Sequence, residues 1–183
     1  MQEDLGKCVE WFERHGVTAW NLSTLAPLAD GRRKMIGDKC IRARVKVEKT
    51  ARWAWYRNCE GADIYMRPAT GPAWPIVFLD DLPPENAVKL SEKYACLVIE
   101  TSHNNCQVWI AATQPLTIAE RALVQRTLAA GAGSDMASIS GDHFGRAAGY
   151  INHKSGRNSF LVRFSRHREH PFQTIVNRVY ERS

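Results

Sequence analysis

Residues 76–84 read Ile-Val-Phe-Leu-Asp-Asp-Leu-Pro-Pro, and this stretch decides how the middle of the chain folds. The apolar run over 76–79 is typical of a buried strand, and the two prolines favour the first turn of a helix. Asp80 and Asp81 therefore stand where a strand ends. Side chains alternate across a strand and neighbouring carboxylates repel each other, so this pair is unusual unless a cation or the unwinding end of the strand brings both side chains to one site.

The chain before this stretch predicts a helix, two short strands and an aromatic segment. Apolar residues recur at helical spacing over 5–14, and Gly16 then favours a helix end. Residues 20–25 are a short apolar run, and residues 41–47 alternate apolar with basic side chains, which predicts a strand with one basic face. Residues 50–59 fit both the helical and the strand period, and we favour a helix.

The segments on either side of the Asp-Asp pair alternate between strand and helix. Residues 63–67 and 76–79 are predicted to pair as a hairpin, because the loop between them carries a Gly-Pro turn signal. Thr117 and Glu120 form a capping box, which predicts a helix that runs to Gly131. The other predicted elements are a helix from Pro84 to about residue 94, strands over 97–99, 107–112 and 160–164, and a final helix over 172–181. This pattern predicts an α+β fold in one domain.

The composition limits the partners and the compartment. With 25 basic and 19 acidic side chains, the net charge is +6 and the pI is about 9.2, which favours a polyanionic partner such as nucleic acid. Five cysteines form no CxxC pair and leave an odd one over, so we expect reduced thiols and no zinc ribbon. His103 and Cys106 are spaced like metal ligands, but no second pair follows, and a polar turn explains them. The chain starts without a signal-peptide pattern and has no membrane-length apolar run, so we expect a cytoplasmic protein with no membrane partner.

The carboxylates are candidates for a metal site. Mg²⁺ and Mn²⁺ take oxygen ligands, and two such ions about 4 Å apart can activate an attacking hydroxyl and stabilise a leaving pyrophosphate. The third candidate is Asp142, which precedes a polar cluster able to hold a triphosphate: Arg146, Asn152, His153 and Lys154. Two simpler interpretations remain open, since adjacent aspartates can cap the following helix and Gly-Asp is a common turn.

Three stretches follow one another in the middle of the chain. The first is Gly-Ala-Asp-Ile-Tyr-Met-Arg-Pro at 61–68, followed by Phe-Leu-Asp-Asp-Leu at 78–82. The second is Glu-Thr-Ser-His-Asn-Asn-Cys-Gln-Val-Trp at 100–109. The third is Ser-Gly-Asp at 140–142 with Arg-Ala-Ala-Gly-Tyr-Ile-Asn-His-Lys at 146–154. In order and spacing they resemble the RepB-type plasmid replication primases, which belong to the archaeo-eukaryotic primase superfamily.

The resemblance covers roughly residues 61–154 and implies the architecture of the catalytic domain of a DNA primase. An N-terminal α/β lobe, approximately residues 1–60, would pack on an RRM-like sheet, approximately residues 61–183, with the active site between them. Related plasmid primases continue into a helical C-terminal domain that helps primer initiation. This chain ends at Ser183, so we expect a minimal form, a fragment, or a protein that relies on a helicase or on a separate helical domain.

The resemblance also implies an activity and its residues. The activity is template-directed primer synthesis on single-stranded DNA from nucleoside triphosphates, for the replication of a plasmid or another mobile element. The implied ligands of Mg²⁺ or Mn²⁺, and hence the catalytic residues, are Asp80, Asp81 and Asp142. The implied nucleotide-binding residues are Arg67, Ser102, Gln107, Arg146, Asn152 and Lys154.

Two features are candidates for contact with the template. The basic strand face carries Arg42, Arg44 and Lys46, which would track the DNA backbone, although solvated strand faces are commonly charged. Trp74, in the Gly-Pro loop, is the best candidate to stack on a base.

One departure from the superfamily pattern and two rival functions stay open. Many members place a histidine where this chain has Gln107, and glutamine can donate a hydrogen bond but carries no charge. A non-catalytic module that binds single-stranded DNA through an RRM-like sheet would account for the same basic surface. A metal-dependent nuclease would use the same carboxylates, but that function would not explain the cluster predicted to bind a triphosphate.

Overall fold

Helices and strands alternate through the two described parts of the chain. The computed structural model describes residues 2–41 and 47–164. In these ranges the α-helices are α1 (Gln2–Arg14), α2 (Val47–Cys59), α3 (Pro84–Lys93) and α4 (Ile118–Ala132), and one short 3₁₀ helix spans Met136–Ser138. The strands are β1 (Trp20–Pro27), β2 (Arg33–Ile41), β3 (Asp63–Pro68), β4 (Trp74–Leu82), β5 (Cys96–Ser102), β6 (Asn105–Leu116), β7 (Gly145–Arg146), β8 (Ile151–Asn152), β9 (Arg157–Asn158) and β10 (Phe160–Phe164). None of the described helices has the length and apolar character that crossing a membrane requires.

The helix ends follow the local signals of the sequence. Thr117 Oγ1 accepts a hydrogen bond from the Glu120 N–H (3.3 Å), and the Glu120 carboxylate accepts one from the Thr117 N–H (2.7 Å), so the predicted capping box is confirmed. The helix α4 ends before Gly133, whose φ of 67° is the left-handed conformation that glycine adopts without strain. The ambiguous segment 50–59 lies in α2, as favoured from the sequence.

The described strands form two four-stranded antiparallel sheets and one two-stranded pair, β8 with β9. The strand order is β2-β1-β3-β7 in the first sheet and β10-β5-β6-β4 in the second. The predicted hairpin of 63–67 with 76–79 is therefore wrong, because β3 pairs with β1 and β7 whereas β4 pairs with β6. The loop over 69–73 carries the chain from one sheet to the other, and its Gly-Pro signal marks a crossover.

Burial on both faces explains why β4 joins the second sheet. Ile76 and Phe78 pack with α1, α2 and the first sheet, whereas Val77 and Leu79 pack with α3 and α4. Side chains alternate across a strand, so β4 lies between two separate cores. Trp109 of the neighbouring strand β6 extends the first core. This arrangement needs layers on both sides, which an isolated two-stranded hairpin cannot supply.

Two predicted elements lie wholly or partly outside the described residues. Of the strand predicted over 41–47, Ile41 ends β2 and Val47 begins α2, while 42–46 lie outside the described ranges. The helix predicted over 172–181 lies outside them as well. The sequence does not predict β2, since its mixture of basic, acidic and apolar residues shows no alternation.

The predicted α+β class is confirmed by these helices and antiparallel sheets. The expected division into lobes 1–60 and 61–183 does not coincide with the sheets. The first sheet combines β1 and β2 with β3 and β7, which come from beyond residue 60. Both sides of that boundary therefore contribute to one sheet.

Candidate active site

The Asp-Asp pair lies at a β-bulge near the end of β4. Leu79 pairs with Val108 of β6 and Leu82 pairs with Cys106, so β4 carries one residue more than its partner over this interval. Asp81 lies in the bulge, and its φ of 53° is in the left-handed region that residues other than glycine rarely adopt. The bulge breaks the alternation of the strand, which explains how two consecutive carboxylates come to interact.

Contacts from other elements hold this bulge in place. The Asp80 N–H donates to Ser134 Oγ (3.2 Å), and its carbonyl accepts hydrogen bonds from the Ser134 hydroxyl (2.6 Å) and the Asp135 N–H (3.0 Å). The Asp81 carboxylate accepts a hydrogen bond from the Asn105 side chain at 2.6 Å. The segment after α4 and the first residue of β6 thus fix the two aspartates in position.

The electrostatics of the pair favour a cation. Burial, followed by the charge of Asp81, raises the pKa of Asp80 to about 6. A hydrogen bond from the Asp81 N–H to Asp80 Oδ1 (3.0 Å) and the charge of Arg146 act in the opposite direction. A divalent cation would relieve this repulsion, and the carboxylate donors suit Mg²⁺ or Mn²⁺.

Asp142 faces an arginine from the first sheet. Arg67 Nη1 lies 3.0 Å from Asp142 Oδ2 and donates a hydrogen bond to the Asp142 carbonyl, also at 3.0 Å. The Arg67 guanidinium lies over the Phe144 ring, 4.0 Å from its centroid. Two residues predicted for the site are therefore brought together, but as an ion pair with each other.

The loop that carries Asp142 is docked tightly on α4. A Cβ atom at Gly141 would lie 2.0 Å from the Ile118 carbonyl oxygen, so only glycine fits there. The Gln125 side chain holds both ends of the loop, since it donates to the Ser138 carbonyl (3.0 Å) and accepts from the Gly141 N–H (3.2 Å). The sequence prediction missed Gln125, which looks like an ordinary polar helix residue.

Asp63, which was not among the predicted site residues, organises a second cluster of charges. Its side chain is 0 % exposed and pairs with Arg33 (2.7 Å) and Arg146 (3.1 Å), while its other oxygen accepts the His153 N–H (2.7 Å). Arg146 also lies over the Tyr65 ring, 4.9 Å from its centroid. Arg146, predicted to bind phosphate, is therefore held by a buried carboxylate. Its nucleotide contact stays a prediction.

The structure corrects the expected contacts of Gln107 and Asn152. The Gln107 side chain is 1 % exposed, and its amide bonds both the N–H and the carbonyl of Arg146. Asn152 is also buried, and it donates to the Thr101 carbonyl (2.7 Å) and accepts the Lys154 N–H (3.1 Å). Both amides are thus occupied by backbone groups, so in this structure they position strands and loops rather than face a nucleotide.

The remaining predicted contacts divide into one correction and several predictions that stay untested. Trp74 is only 7 % exposed, and its indole N–H donates to the Ala69 carbonyl (2.6 Å), so it is a core residue in this structure and not a stacking platform. Ser102 ends β5 half-buried, and Lys154 is exposed in the turn between β8 and β9. The three basic residues predicted for DNA contact, Arg42, Arg44 and Lys46, lie outside the described residues.

The two sheets are in close contact at Gly145. A Cβ atom there would lie 2.8 Å from the Trp109 ring and 2.9 Å from the Phe78 ring, closer than real Cβ contacts. Gly145 pairs with Met66 of β3, so the edge of the first sheet meets β4 and β6 at this point. Arg146 follows Gly145 directly, and its positive charge acts to lower the pKa of Asp80.

A cavity of about 330 Å³ opens beside the ion pair. One side is formed by Leu25, Met35, Tyr65 and Arg67 of the first sheet, and the other by the loop residues Ser140, Asp142, His143 and Phe144. Among the described residues, no group of three or more histidine, cysteine or acidic side chains is close enough to share a metal ion. The structure thus pairs Asp80 with Asp81 but leaves Asp142 with Arg67.

Comparisons with known proteins give a family and a fold. The family model described as RepB DNA-primase N-terminal domain matches residues 27–181. Mobilization protein A of Escherichia coli is 35% identical over 104 residues, which cover 56% of this chain and 15% of that protein. The chain therefore spans a small part of that relative.

Solved structures resemble nearly the whole chain. The catalytic domain of primase RepB′, crystallised with initiator DNA, has 22% identity and a TM-score of 0.82, over 98% of this chain and 95% of that chain. A longer structure of primase RepB′ gives a TM-score of 0.86 and 22% identity over 99% of this chain and 62% of its own. The AEP domain of the cyanophage S-2L primase-polymerase has 11% identity and a TM-score of 0.71, over 97% of each chain. The chain has the archaeo-eukaryotic primase fold.

Proposed function

Because this chain belongs to the RepB DNA-primase N-terminal domain family, we propose that it is a metal-dependent nucleotidyltransferase that makes primers on single-stranded DNA. The observation that carries the proposal is the Asp80-Asp81 bulge. A left-handed backbone and a partly buried carboxylate with a raised pKa are both unfavourable, and such features concentrate where chemistry needs them. We propose Mg²⁺ or Mn²⁺ as the ion, with Asp142 as the third ligand.

The proposed role of Arg67 follows from its ion pair with Asp142. A bound divalent cation would neutralise the triphosphate and activate the attacking 3′-hydroxyl. Arg67 is paired with Asp142, and a triphosphate would compete for the same guanidinium. Transfer of Arg67 to a phosphate would then free the Asp142 carboxylate. Nucleotide and metal binding are in this way expected to support each other.

The template and the wider role are also part of the proposal. Primase RepB′ has been crystallised with initiator DNA, and this chain has a net charge of +6, both of which support a single-stranded DNA partner. Similarity to a mobilization protein supports a role in plasmid or mobile-element replication. We place that role in the cytoplasm, where template and nucleoside triphosphates are found, with a helicase or a separate helical primase domain as partner.

Incorporation of labelled nucleotides on single-stranded DNA, with Mg²⁺ or Mn²⁺, tests the proposal. The native chain should make primers, and Asp80→Asn should lose at least about 100-fold in activity, because the substitution removes a metal-binding charge and keeps the shape. Glu92→Gln is the matched control, since Glu92 is an exposed acid on α3 away from the site. A template with a pre-annealed primer separates initiation from extension. Full synthesis by Asp80→Asn would refute the site.

The non-catalytic DNA-binding module remains the second candidate, because Asp142 is bonded to Arg67 and does not group with the other two aspartates. This candidate predicts DNA binding that weakens with salt and that responds neither to Mg²⁺ nor to Asp80→Asn. Binding of that kind, with no product on the primed template, would favour it over the primase.

A further inference from the structure

Two adjacent aromatic side chains on α2 are exposed to solvent. Trp55 is 44 % exposed and Tyr56 is 58 % exposed. The buried tryptophans, none of them more than 7 % exposed, are Trp11, Trp20, Trp74 and Trp109. Leaving a large ring in water forgoes the free energy that its burial would supply, so two such rings side by side indicate a surface that binds something.

Two basic side chains lie on the same face of α2 as these rings. Arg52 precedes Trp55 by three residues and Tyr56 by four, which is the spacing of neighbours on one helix face. Lys49 lies one turn before Arg52. Both cations are exposed, and within the described parts of the chain no carboxylate is in ion-pair distance of either. We call these four residues, Lys49, Arg52, Trp55 and Tyr56, the α2 stripe.

The buried face of α2 determines where the α2 stripe lies. Ala51 and Ala54 pack in the same core as Met66 of β3. The residues on either side of Met66, Tyr65 and Arg67, line the cavity, because side chains alternate across the strand. The helix α2 therefore covers the face of the first sheet that is opposite the cavity. The sheet separates the α2 stripe from the candidate active site.

Hydrogen bonds join α2 to the segment that follows β7. The Tyr150 hydroxyl donates to the Ala51 carbonyl (3.3 Å). The Asn58 side chain donates to the Ile151 carbonyl (2.8 Å) and accepts the Ile151 N–H (2.9 Å). A ligand on the α2 stripe would thus be held in a fixed position relative to Arg146 of β7.

We infer that the α2 stripe is a second contact surface for single-stranded DNA, separate from the catalytic site. The inference takes its ligand class from the proposed function and adds a surface outside the three stretches that carry the family resemblance. Bases of any sequence stack on exposed aromatic rings, and basic side chains beside the rings neutralise backbone phosphates. A protein partner fits less well, because the cores of protein interfaces are depleted of lysine and two unpaired cations would be buried with the rings.

Binding of fluorescein-labelled oligo(dT), measured by anisotropy with chelator and without nucleotide, tests the inference. Trp55→Ala and Tyr56→Ala should each weaken binding about tenfold, which is within the range for the loss of one base-stacking contact. Trp55→Phe keeps a ring and should keep most of the affinity. Val88→Ala is the matched control, because it truncates an exposed apolar side chain on α3, and it should bind like the native chain.

The charged half of the α2 stripe is tested by the salt dependence of the same binding. Arg52→Gln should weaken binding and reduce the slope of log affinity against log salt by about 0.7, the counterion release of one phosphate contact on a single strand. Arg126→Gln removes the same charge from an exposed position of α4 and should leave the slope unchanged. Equal losses in the two variants would show that only net charge matters and would overturn the inference.

An abasic strand separates stacking from charge. The native chain should bind it more weakly than oligo(dT), and this difference should shrink in the double variant Trp55→Ala/Tyr56→Ala. Native oligo(dT) affinity in a double variant that keeps the native melting temperature would overturn the inference and leave the two rings to a protein partner. If the double variant does not fold, Tyr56→Ala decides, since its side chain is the more exposed, and native affinity in that variant would also overturn the inference.

The inference and the proposed function can fail independently. Asp80→Asn should lose primer synthesis without any loss of oligo(dT) affinity. Absence of primer synthesis by a native chain whose DNA binding depends on Trp55 and Tyr56 would refute the primase and keep the α2 stripe. Primer synthesis by a chain whose oligo(dT) binding does not depend on these rings would overturn the α2 stripe and keep the primase.

Discussion

Replacing Asp80 with asparagine should stabilise the metal-free protein, and the gain should depend on pH. Burial and the neighbouring Asp81 charge raise the pKa of Asp80 from the ordinary 3.8 to about 6. The folded chain therefore holds this proton more tightly than the unfolded chain, so the native protein loses stability as the pH rises from about 4 towards 7. Because asparagine does not titrate, the unfolding free energy of Asp80→Asn should not fall over this pH range.

The size of the effect follows from the pKa. A shift of about two units at about 1.4 kcal/mol per unit gives about 3 kcal/mol as an upper bound. Asp80 keeps some contact with solvent, which screens the interaction, so we expect about 2 kcal/mol. The variant and the native chain should have similar unfolding free energies near pH 4 and differ by this amount above about pH 7.

Urea unfolding followed by fluorescence, at a series of pH values with chelator present, measures this difference. Glu92→Gln removes an exposed acid and should show less than about 0.5 kcal/mol of change at every pH. Millimolar Mn²⁺ should stabilise the native chain more than the variant, because the ion needs the carboxylate. A variant that is less stable than the native chain at pH 8 without metal, or a pH-independent difference, would refute the reasoning.

Two other substitutions test separate features of the site. Asp81→Gly should stabilise the metal-free chain by about 1 kcal/mol relative to Asp81→Ala, because only glycine adopts a φ of 53° without strain, and both variants should lose primer synthesis. Equal stability of the two in urea unfolding would show that the left-handed backbone is not maintained in solution. Asp63→Asn should lower the free energy of unfolding by about 3 kcal/mol, since it leaves two arginines without their shared buried partner. A loss below about 1 kcal/mol would mean that Arg33 and Arg146 find other partners.

Local sequence signals predicted the elements better than their pairing. The Thr117 capping box and the apolar strand over 76–79 depend on neighbouring residues, and both agree with the structure, but the strand does not end at Asp80 and continues through a bulge to Leu82. One partner of β3 is β1, but β2 and α2 lie between them in the chain, and no turn signal marks that pairing. The hairpin prediction was wrong because it depended on the Gly-Pro turn signal alone. That signal does not show that β4 is buried on both faces.

The predicted site depended on residue type, and residue type does not reveal burial. Gln107 and Asn152 have amides that suit a nucleotide equally well, but both are buried and taken up by backbone groups. Arg121 shows the same limitation in another way. An arginine on a helix is usually expected to be solvated, but Arg121 in α4 is only 3 % exposed. Its burial depends on the docking of a loop some twenty positions later, which no local pattern predicts.

The absence of a side chain at Gly145 has an evolutionary consequence. This position limits how closely the edge of the first sheet approaches the rings of Phe78 and Trp109. A family member with alanine here would have to accommodate a methyl group, either by a wider cleft or by a smaller residue at one of the two aromatic positions. We expect these three positions to covary across the family, with glycine retained wherever both large rings are present.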